Sequence, residues 1–492
     1  MPARHVRVRE AVPGPLREGL ERLRQELHVP ADFPPEVVRA AEVAAENPRL
    51  PEKDLTDLDF VTIDPPGAKD LDQAVVIERD GSGFVVWYAI ADVAAFVSPG
   101  DPIDLEARER GQTFYAPHMR TPLHPPALSE NAASLLPGVV RPALVWRLPV
   151  DARGQCEGPT VERALIRSRA QLTYEEVQDH LDARTAPESL VLLKEVGLLR
   201  EEVERDRGGV SLNIPEQEVH TEGDQWEIEF RSTLPVEGWN AQISLLTGIA
   251  AAHLMIDAGV GILRTLPPAE KSSLRRLRAT ARALHIPWPP EMDYPEFVRS
   301  LDSTRGDHAA MLYACTTLFR GAGYQAFENG SIPDLPQHAA LATEYAHTTA
   351  PLRRLVDRFV LETCAAICAG EEVPDWVREA LPELPDIMAE SDRRAKKYER
   401  GIVDLTEALV LAGRVGQDFT GTVVDFDAKK DRGRFMITEP AVEAFVKGSG
   451  LPLGQEIRAT LTGVDLTTGV TTFVEVPERA RREDAPNRKG RR

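Results

Sequence analysis

The chain has 492 residues, enough for about three domains of ordinary size. Hydrophobic residues make up 42% and charged residues 28%, and the 34 Gly and 39 Pro stay below the level of a disordered chain, so the composition is that of a globular protein. The 78 acids against 58 bases give a formal net charge of −20, which argues against a protein that binds nucleic acid or an anionic membrane over its whole surface and leaves room only for a local basic channel.

The N-terminal MPARHVRVRE is charged and has no apolar h-region, so no secretory signal is read there. Leu16, Leu20, Leu23 and Leu27 then recur on one helical face, and Pro30 ends the helix. Pro34 and Pro35 precede EVVRAAEVAAEN, a second helix with Val37, Ala40, Ala41 and Ala44 inward. Residues 1–50 thus form a small helical unit, either part of a helix-turn-helix module or a packing arm on the main body. The second helix carries no basic stripe, which favours the arm.

The linker NPRLPEKDLTDLD leads into a long α+β block, residues 51–410. DFVTID, QAVVIERD and GFVVWYAIADVAAFV read as strands, the last two joined by the turn GSG. Residues 159–207 are mixed and then mostly helical, and 237–258, 270–285, 305–325, 352–369 and 385–413 carry helical periodicity. Cys156, Cys315, Cys364 and Cys368 are too few and too scattered for a disulfide framework. Cys364 and Cys368 share a helix face with no second Cys or His pair nearby, so they read as core rather than as a zinc site. With no apolar run of about 18 residues, no membrane span is expected, and a reducing cytoplasm fits. Residues 415–478 change character to short strands spaced by turns, a five-stranded OB-type barrel. The tail 479–492 holds seven bases and two acids and reads as disordered, able to touch a phosphate backbone or to serve only as a solvated tail.

Two segments carry chemistry. In TIDPPGAKDLDQAV, Asp64 ends a strand, Pro65-Pro66-Gly67 turns the chain, and Asp70 and Asp72 follow at i, i+2, on one side if the backbone is extended. Three carboxylates at short range repel unless a cation lies between them, and hard oxygen ligands favour Mg²⁺ or Mn²⁺. The bland alternative is a solvated acidic turn. In YAHTTAPLRRLVDR, Leu352, Leu355, Val356, Phe359 and Val360 form a buried stripe, and Pro351 suits a helix start. Arg353 and Arg354 would then oppose the helix dipole, so they want an anion: a phosphate, or Asp357 or a distant carboxylate. SDRRAKKYER, 391–400, is a third charged segment, either a solvated helix face or the lining of a basic path.

TIDPPGAKDLDQAV, then YAIADVAAFVSPGDPIDLEARERGQTFYAP, PPALSENAASLLPG, HTTAPLRRLVDR and SDRRAKKYERGIVD resemble, in order, the catalytic block of the RNase II/RNase R family of exoribonucleases. The resemblance covers about residues 51–410 and implies an RNB catalytic domain followed by an S1-type barrel. It implies a metal-dependent hydrolase that degrades single-stranded RNA 3′→5′ to nucleoside 5′-monophosphates, with Mg²⁺, or Mn²⁺, as cofactor, acting in RNA turnover as a cytoplasmic monomer. On this resemblance Asp64, Asp70 and Asp72 surround the metal, and Asp72 is the position most tied to cleavage. Arg353 stabilises the scissile phosphate and Arg354 is its neighbour. Tyr115 stacks near the RNA 3′ end, and Glu237 and Arg264 fall in weaker matching stretches that would touch RNA.

The chain departs from the family at four places. Gln73 replaces a usual fourth Asp, and Gln can offer a metal a carbonyl oxygen but no charge. Ala350 replaces the serine of the arginine motif. SLNIP, 211–215, has no aromatic where the family has its second clamp. About fifty helical residues stand where cold-shock-type barrels are common, which implies a different RNA approach and different handling of structured RNA. The departures at 73 and 350 motivate a second reading, a non-catalytic RNA-binding relative. A phosphoesterase acting on small molecules would explain the acidic cluster but not the barrel.

Overall fold

The computed structural model describes residues 14–477 apart from 31, 117–118, 211, 213–215, 223–224, 232, 303–304, 428, 438 and 441. The basic tail, and of 211–215 all but Leu212, lie outside the described residues. Helix α1 (Gly14–Glu26) ends four residues before Pro30. His28 adopts a left-handed φ of 52°, and the Val29 N–H reaches back to the Arg24 carbonyl at 2.9 Å, a Schellman closure that needs no proline. Helix α2 (Pro35–Glu46) follows. The two helices dock through different contacts. Leu16 and Leu20 of α1 pack with Phe114, Tyr398, Ile402 and Leu405, while Val37 and Ala41 of α2 pack with Phe60, Leu71 and Val76.

The centre of the next block is a six-stranded sheet. Strands β1 (Val61–Ile63), β2 (Gln73–Asp80) and β3 (Gly83–Ala91) lead to helix α3 (Pro102–Arg110) and a two-stranded ribbon, β4 (Phe114–Ala116) and β5 (Met119–Thr121). Long strands β6 (Val140–Val150) and β7 (Thr160–Arg167) and short β8 (Ala170–Leu172) complete it in the order β7-β6-β3-β2-β1-β8. All pairs are antiparallel except β1 with β8. Both faces are covered, and side chains sort by the period of two. From β3, Phe84, Val86, Tyr88 and Ile90 enter one core, and Ala89 and Ala91 the other.

Helices α4 (Tyr174–Asp182) and α5 (Glu188–Asp206), the hairpin β9 (Glu216–Glu222) and β10 (Gln225–Arg231), and helix α6 (Pro235–Ala258) follow. By length and composition α6 could cross a membrane, but Val236, Trp239, Ile243, Leu246 and Met255 are buried in the protein's own core. Next come β11 (Gly261–Thr265), α7 (Lys271–Ala283), α8 (Tyr294–Arg299) and α9 (Gly306–Cys315). The helical period read over 305–325 gives way after Cys315 to a short 3₁₀ turn and then to β12 (Gly323–Phe327), which pairs with β11. Two-residue strands β13 (Gln337–His338) and β14 (Thr343–Glu344) precede α10 (Leu355–Ala369), α11 (Asp375–Ala380) and the long α12 (Leu384–Leu411). Cys364 is buried, and all four cysteines are free thiols.

The C-terminal strands β15 (Asp418–Asp427), β16 (Arg432–Ile437), β17 (Val442–Lys447), β18 (Glu456–Asp465) and β19 (Val470–Glu475) close a barrel in the order β15-β16-β17-β19-β18. The fold is therefore α+β with a C-terminal OB-type barrel, filled by Phe419, Phe435, Phe473 and their aliphatic neighbours.

Candidate active site

Asp64 lies one residue past β1 and is fixed by its N–H on the Leu172 carbonyl, 2.9 Å away. The Ala68 N–H then closes on Pro65 O at 3.1 Å, with Gly67 at φ 77°, a type II turn that only the third residue's glycine makes easy. The loop after it is pinned by the SENAASLLPG segment. Ser134 Oγ donates to the Lys69 carbonyl at 2.7 Å and accepts the Leu71 N–H at 2.9 Å, and the Leu135 N–H meets Leu71 O at 3.0 Å. Asp72 enters β2 directly from this anchor.

The arginine segment arrives from 280 residues away. Helix α10 begins at Leu355, so Arg353 and Arg354 precede it and do not occupy its first turn. A turn closing on Ala350 O and then a single antiparallel bridge between Gln112 and Arg354 take that place: the Thr113 N–H bonds Arg353 O at 2.9 Å and the Leu355 N–H bonds Gly111 O at 3.0 Å. The Leu352 N–H then donates to Asp72 Oδ1 at 2.8 Å, and Arg353 Nε lies 3.3 Å from Asp72 Oδ2. Arg354 turns away into a two-pronged contact with Asp357, at 2.5 and 2.8 Å, and the same carboxylate accepts the Ala350 N–H at 2.7 Å. Arg353 keeps 49% of its side-chain surface exposed whereas Asp72 keeps 3%. One arginine thus faces the solvent side of the cluster and the other braces the turn.

The remaining expected residues take distinct places. Asp70 is held by Arg120, whose guanidinium also meets Glu130 at 2.8 Å. Gln73 donates its side-chain amide to the Thr349 carbonyl, so it ties the acidic loop to the arginine turn. Tyr115 is half-exposed, opposite Arg120 in the β4–β5 ribbon and within electrostatic reach of Arg353, Asp70 and Asp72. Glu237 accepts the Leu234 N–H at 2.9 Å and caps α6 beside Tyr174, which is hydrogen-bonded to Asn240 and lies within electrostatic reach of Asp64. Arg264 stands apart, 3.2 Å from Asp392 and over the Tyr324 ring, whose hydroxyl meets His347 Nδ1 at 2.7 Å. The sequence reading missed Arg120, Glu130, Tyr174 and Asn240. None has a local pattern that marks it, because each is placed by contacts far along the chain.

Burial dominates the electrostatics. It pushes the Asp64 carboxyl up to about 6, with Arg353 opposing and Asp70 reinforcing the shift. Burial also raises Asp72 well above the ordinary range, against the pull of Arg353 and of the Leu352 N–H. Asp64 Oδ2 is buried without a hydrogen-bond partner. No three carboxylate, imidazole or thiol groups converge in ligating geometry among the described residues. An orphaned carboxylate oxygen on Asp64, with the Asp70 carboxylate within electrostatic reach, nevertheless fits Mg²⁺, which is commonly bound through one or two carboxylates, waters and substrate phosphate.

A sheet with a buried acid pair and a facing arginine, followed by an OB-type barrel, defines the class. The family model for the RNB domain matches residues 52–369, and the chain belongs to that family. The model for the RNase II-type exonuclease C-terminal S1 domain matches residues 417–476. Ribonuclease R of Escherichia coli K12 is 29% identical over 416 residues, covering 79% of this chain and 50% of the relative. Exoribonuclease 2 of Cronobacter sakazakii is 26% identical over 422 residues, covering 83% and 64%. The chain thus spans between half and two thirds of the length of these relatives. In structure, apo RNase R of Mycoplasma genitalium superposes with a TM-score of 0.83 at 20% identity, over 94% of this chain and 78% of that one. The same protein in complex with ribose-methylated single-stranded RNA gives a TM-score of 0.82 at 19% identity, with the same coverage.

Proposed function

We propose that the protein is a metal-dependent 3′→5′ exoribonuclease that hydrolyses single-stranded RNA to nucleoside 5′-monophosphates in the cytoplasm, acting as a monomer in RNA turnover. The observation that carries this reading is the joining of the two motifs: Arg353 and the Leu352 N–H both grip Asp72. Asp64 and Asp72, with Asp70 beside them, would hold Mg²⁺ or Mn²⁺, which supplies a Lewis acid for the phosphate oxygens and an activated water.

The chain's own residues do the rest. Arg353 presents its exposed guanidinium to the scissile phosphate and stabilises the charge that accumulates as water adds to phosphorus and the 3′-oxygen leaves. Arg120 keeps Asp70 oriented, and the Arg354–Asp357 pair fixes the turn that aims Arg353. Tyr115 offers a ring to the terminal base, and stacking tolerates any base, so selection falls on a free 3′ end and not on sequence. The barrel adds a surface for the incoming strand.

The non-catalytic reading has no specific support here, since Asp64, Asp70, Asp72 and Arg353 are all present and drawn together, and Gln73 is engaged as a bracket. The test is 5′-labelled single-stranded RNA with Mg²⁺ or Mn²⁺. A ladder shortening from the 3′ end is expected, lost in Asp72→Asn. No shortening by folded protein with either metal would sink the proposal.

A further inference from the structure

Two of the three acids of the cluster already carry a cation from the chain itself. Asp72 has Arg353, and Asp70 has Arg120, whose Nη1 donates to Asp70 Oδ1. Asp64 keeps a buried oxygen without a partner. The two arginines differ in what else they touch. Arg353 leans out toward solvent, whereas Arg120 has a second carboxylate: its Nε and Nη2 lie 3.2 and 2.8 Å from Glu130 Oε1. Lys69 Nζ stands 4.0 Å from the other Glu130 oxygen. Asp70 keeps 12% of its side chain exposed, and Arg120 and Glu130 keep 23% each, so solvent reaches all three groups. Asp70 in turn lies within electrostatic reach of Asp64 and Asp72. A divalent ion drawn to the acids therefore meets the Arg120 charge at one of the carboxylates it needs, and like charges repel.

We propose that Arg120 is an internal counter-ion that competes with the divalent metal for Asp70, and that Glu130 is the acceptor on which the guanidinium stays when the metal takes its place. Two of the arginine's nitrogens already rest on Glu130, so leaving Asp70 breaks one ion pair and strands no charge. Holding Asp70 in one orientation would need no second carboxylate behind the arginine. The arrangement keeps the affinity for Mg²⁺ down and ties loading of the site to the concentration of free divalent ion. That a divalent ion binds here at all rests on the exoribonuclease reading.

Calorimetric titration of the full-length, RNA-free protein with Mg²⁺ tests this, with Mn²⁺ in a parallel arm. Arg120→Gln is expected to bind either ion roughly tenfold or more tightly than the parent, because a unit positive charge is removed beside Asp70. Glu130→Gln is expected to bind roughly threefold or more weakly, because the displaced guanidinium loses its acceptor. The double variant is expected to match Arg120→Gln, since Glu130 acts through the arginine. Arg120→Met, which keeps the aliphatic stem, is expected to tighten binding as well and keeps the test valid if the Gln variant fails to fold. Unchanged or weaker binding in the folded Arg120 variants, the outcome if the arginine only orients Asp70, would overturn the proposal. So would a Glu130→Gln loss that persists undiminished in the double variant, or no binding of either ion by parent and variants at tens of millimolar. RNA shortening by the same preparations is measured separately. Cleavage without the expected change in metal affinity overturns this proposal alone, and the expected change without cleavage overturns the exoribonuclease reading alone.

Discussion

At Asp64, burial favours the protonated carboxyl and holds its pKa at about 6, against 3.8 for the ordinary side chain. The folded state therefore binds this proton more tightly than the unfolded chain, and the contribution to stability is full below pH 4 and lost as pH rises through 6. The difference of two units corresponds to about 2–3 kcal/mol. In divalent-free buffer, Asp64→Asn is expected to melt above the parent at pH 7.5 and to converge with it below pH 4. Mg²⁺ should raise the parent's melting temperature more above pH 6 than below, and this gain should shrink in the variant. A pH-independent difference would contradict the burial argument. Arg353→Ala is expected to lower kcat by roughly 10²–10³ with KM changed only a few-fold, since its charge is met in the transition state. A loss confined to KM would mean that it only binds. Gln73→Asp adds a carboxylate and removes the bracket to Thr349, so it should destabilise the metal-free protein while tightening Mg²⁺ binding, both readable by thermal melts across a metal titration.

Helix α6 and the arginine turn meet at a glycine. The Ala346 N–H donates to Gly248 O at 3.0 Å, and a Cβ at Gly248 would lie 2.5 Å from the Ala346 carbonyl and inside the Tyr345 ring. Gly248→Ala is expected to push residues 345–346 off the helix, lower stability by several kcal/mol and reduce turnover through Arg353; denaturant unfolding beside single-turnover cleavage checks both. Elements of this kind were legible in the sequence where packing has a period. Strand 73–80, the first part of the segment 83–97 (which leaves the sheet after Ala91 for a 3₁₀ turn at Val93–Ala95), the existence of α1 and α2, and the barrel strands all follow from spacing and turns. The misreadings fall where tertiary pairing overrides period, as when Gly111–Thr113 pair with the backbone about an extended Arg354 while Arg353 closes a turn on Ala350, or when β11 recruits 323–327. Both halves of the site were visible as segments. Their junction, and the supports from Ser134, Arg120 and Tyr174, were not, because partners 50 to 280 residues apart leave no local trace.

Across the whole molecule, the net charge of −20 coexists with a half-exposed cation, Arg353, set against the buried Asp72. Asp72 is buried and Arg353 beside it is half-exposed, so on the proposed function the reacting phosphate meets Arg353 first and needs an unpaired strand end to reach the acids. On duplexes of one sequence, a 3′ single-stranded tail is expected to be trimmed while a blunt end is left intact at the same enzyme concentration; a gel time course decides, and equal attack on blunt ends would count against a need for an unpaired end. The distance in sequence between Asp72 and the segment that grips it has a temporal meaning as well. While a ribosome is still adding residues short of 353, the acids already made have no arginine to work with. On the proposed function, a nascent chain would be harmless to the message it is being read from, and the ability to cleave RNA would arise only after about three quarters of this sequence has been synthesised and has folded back on its beginning.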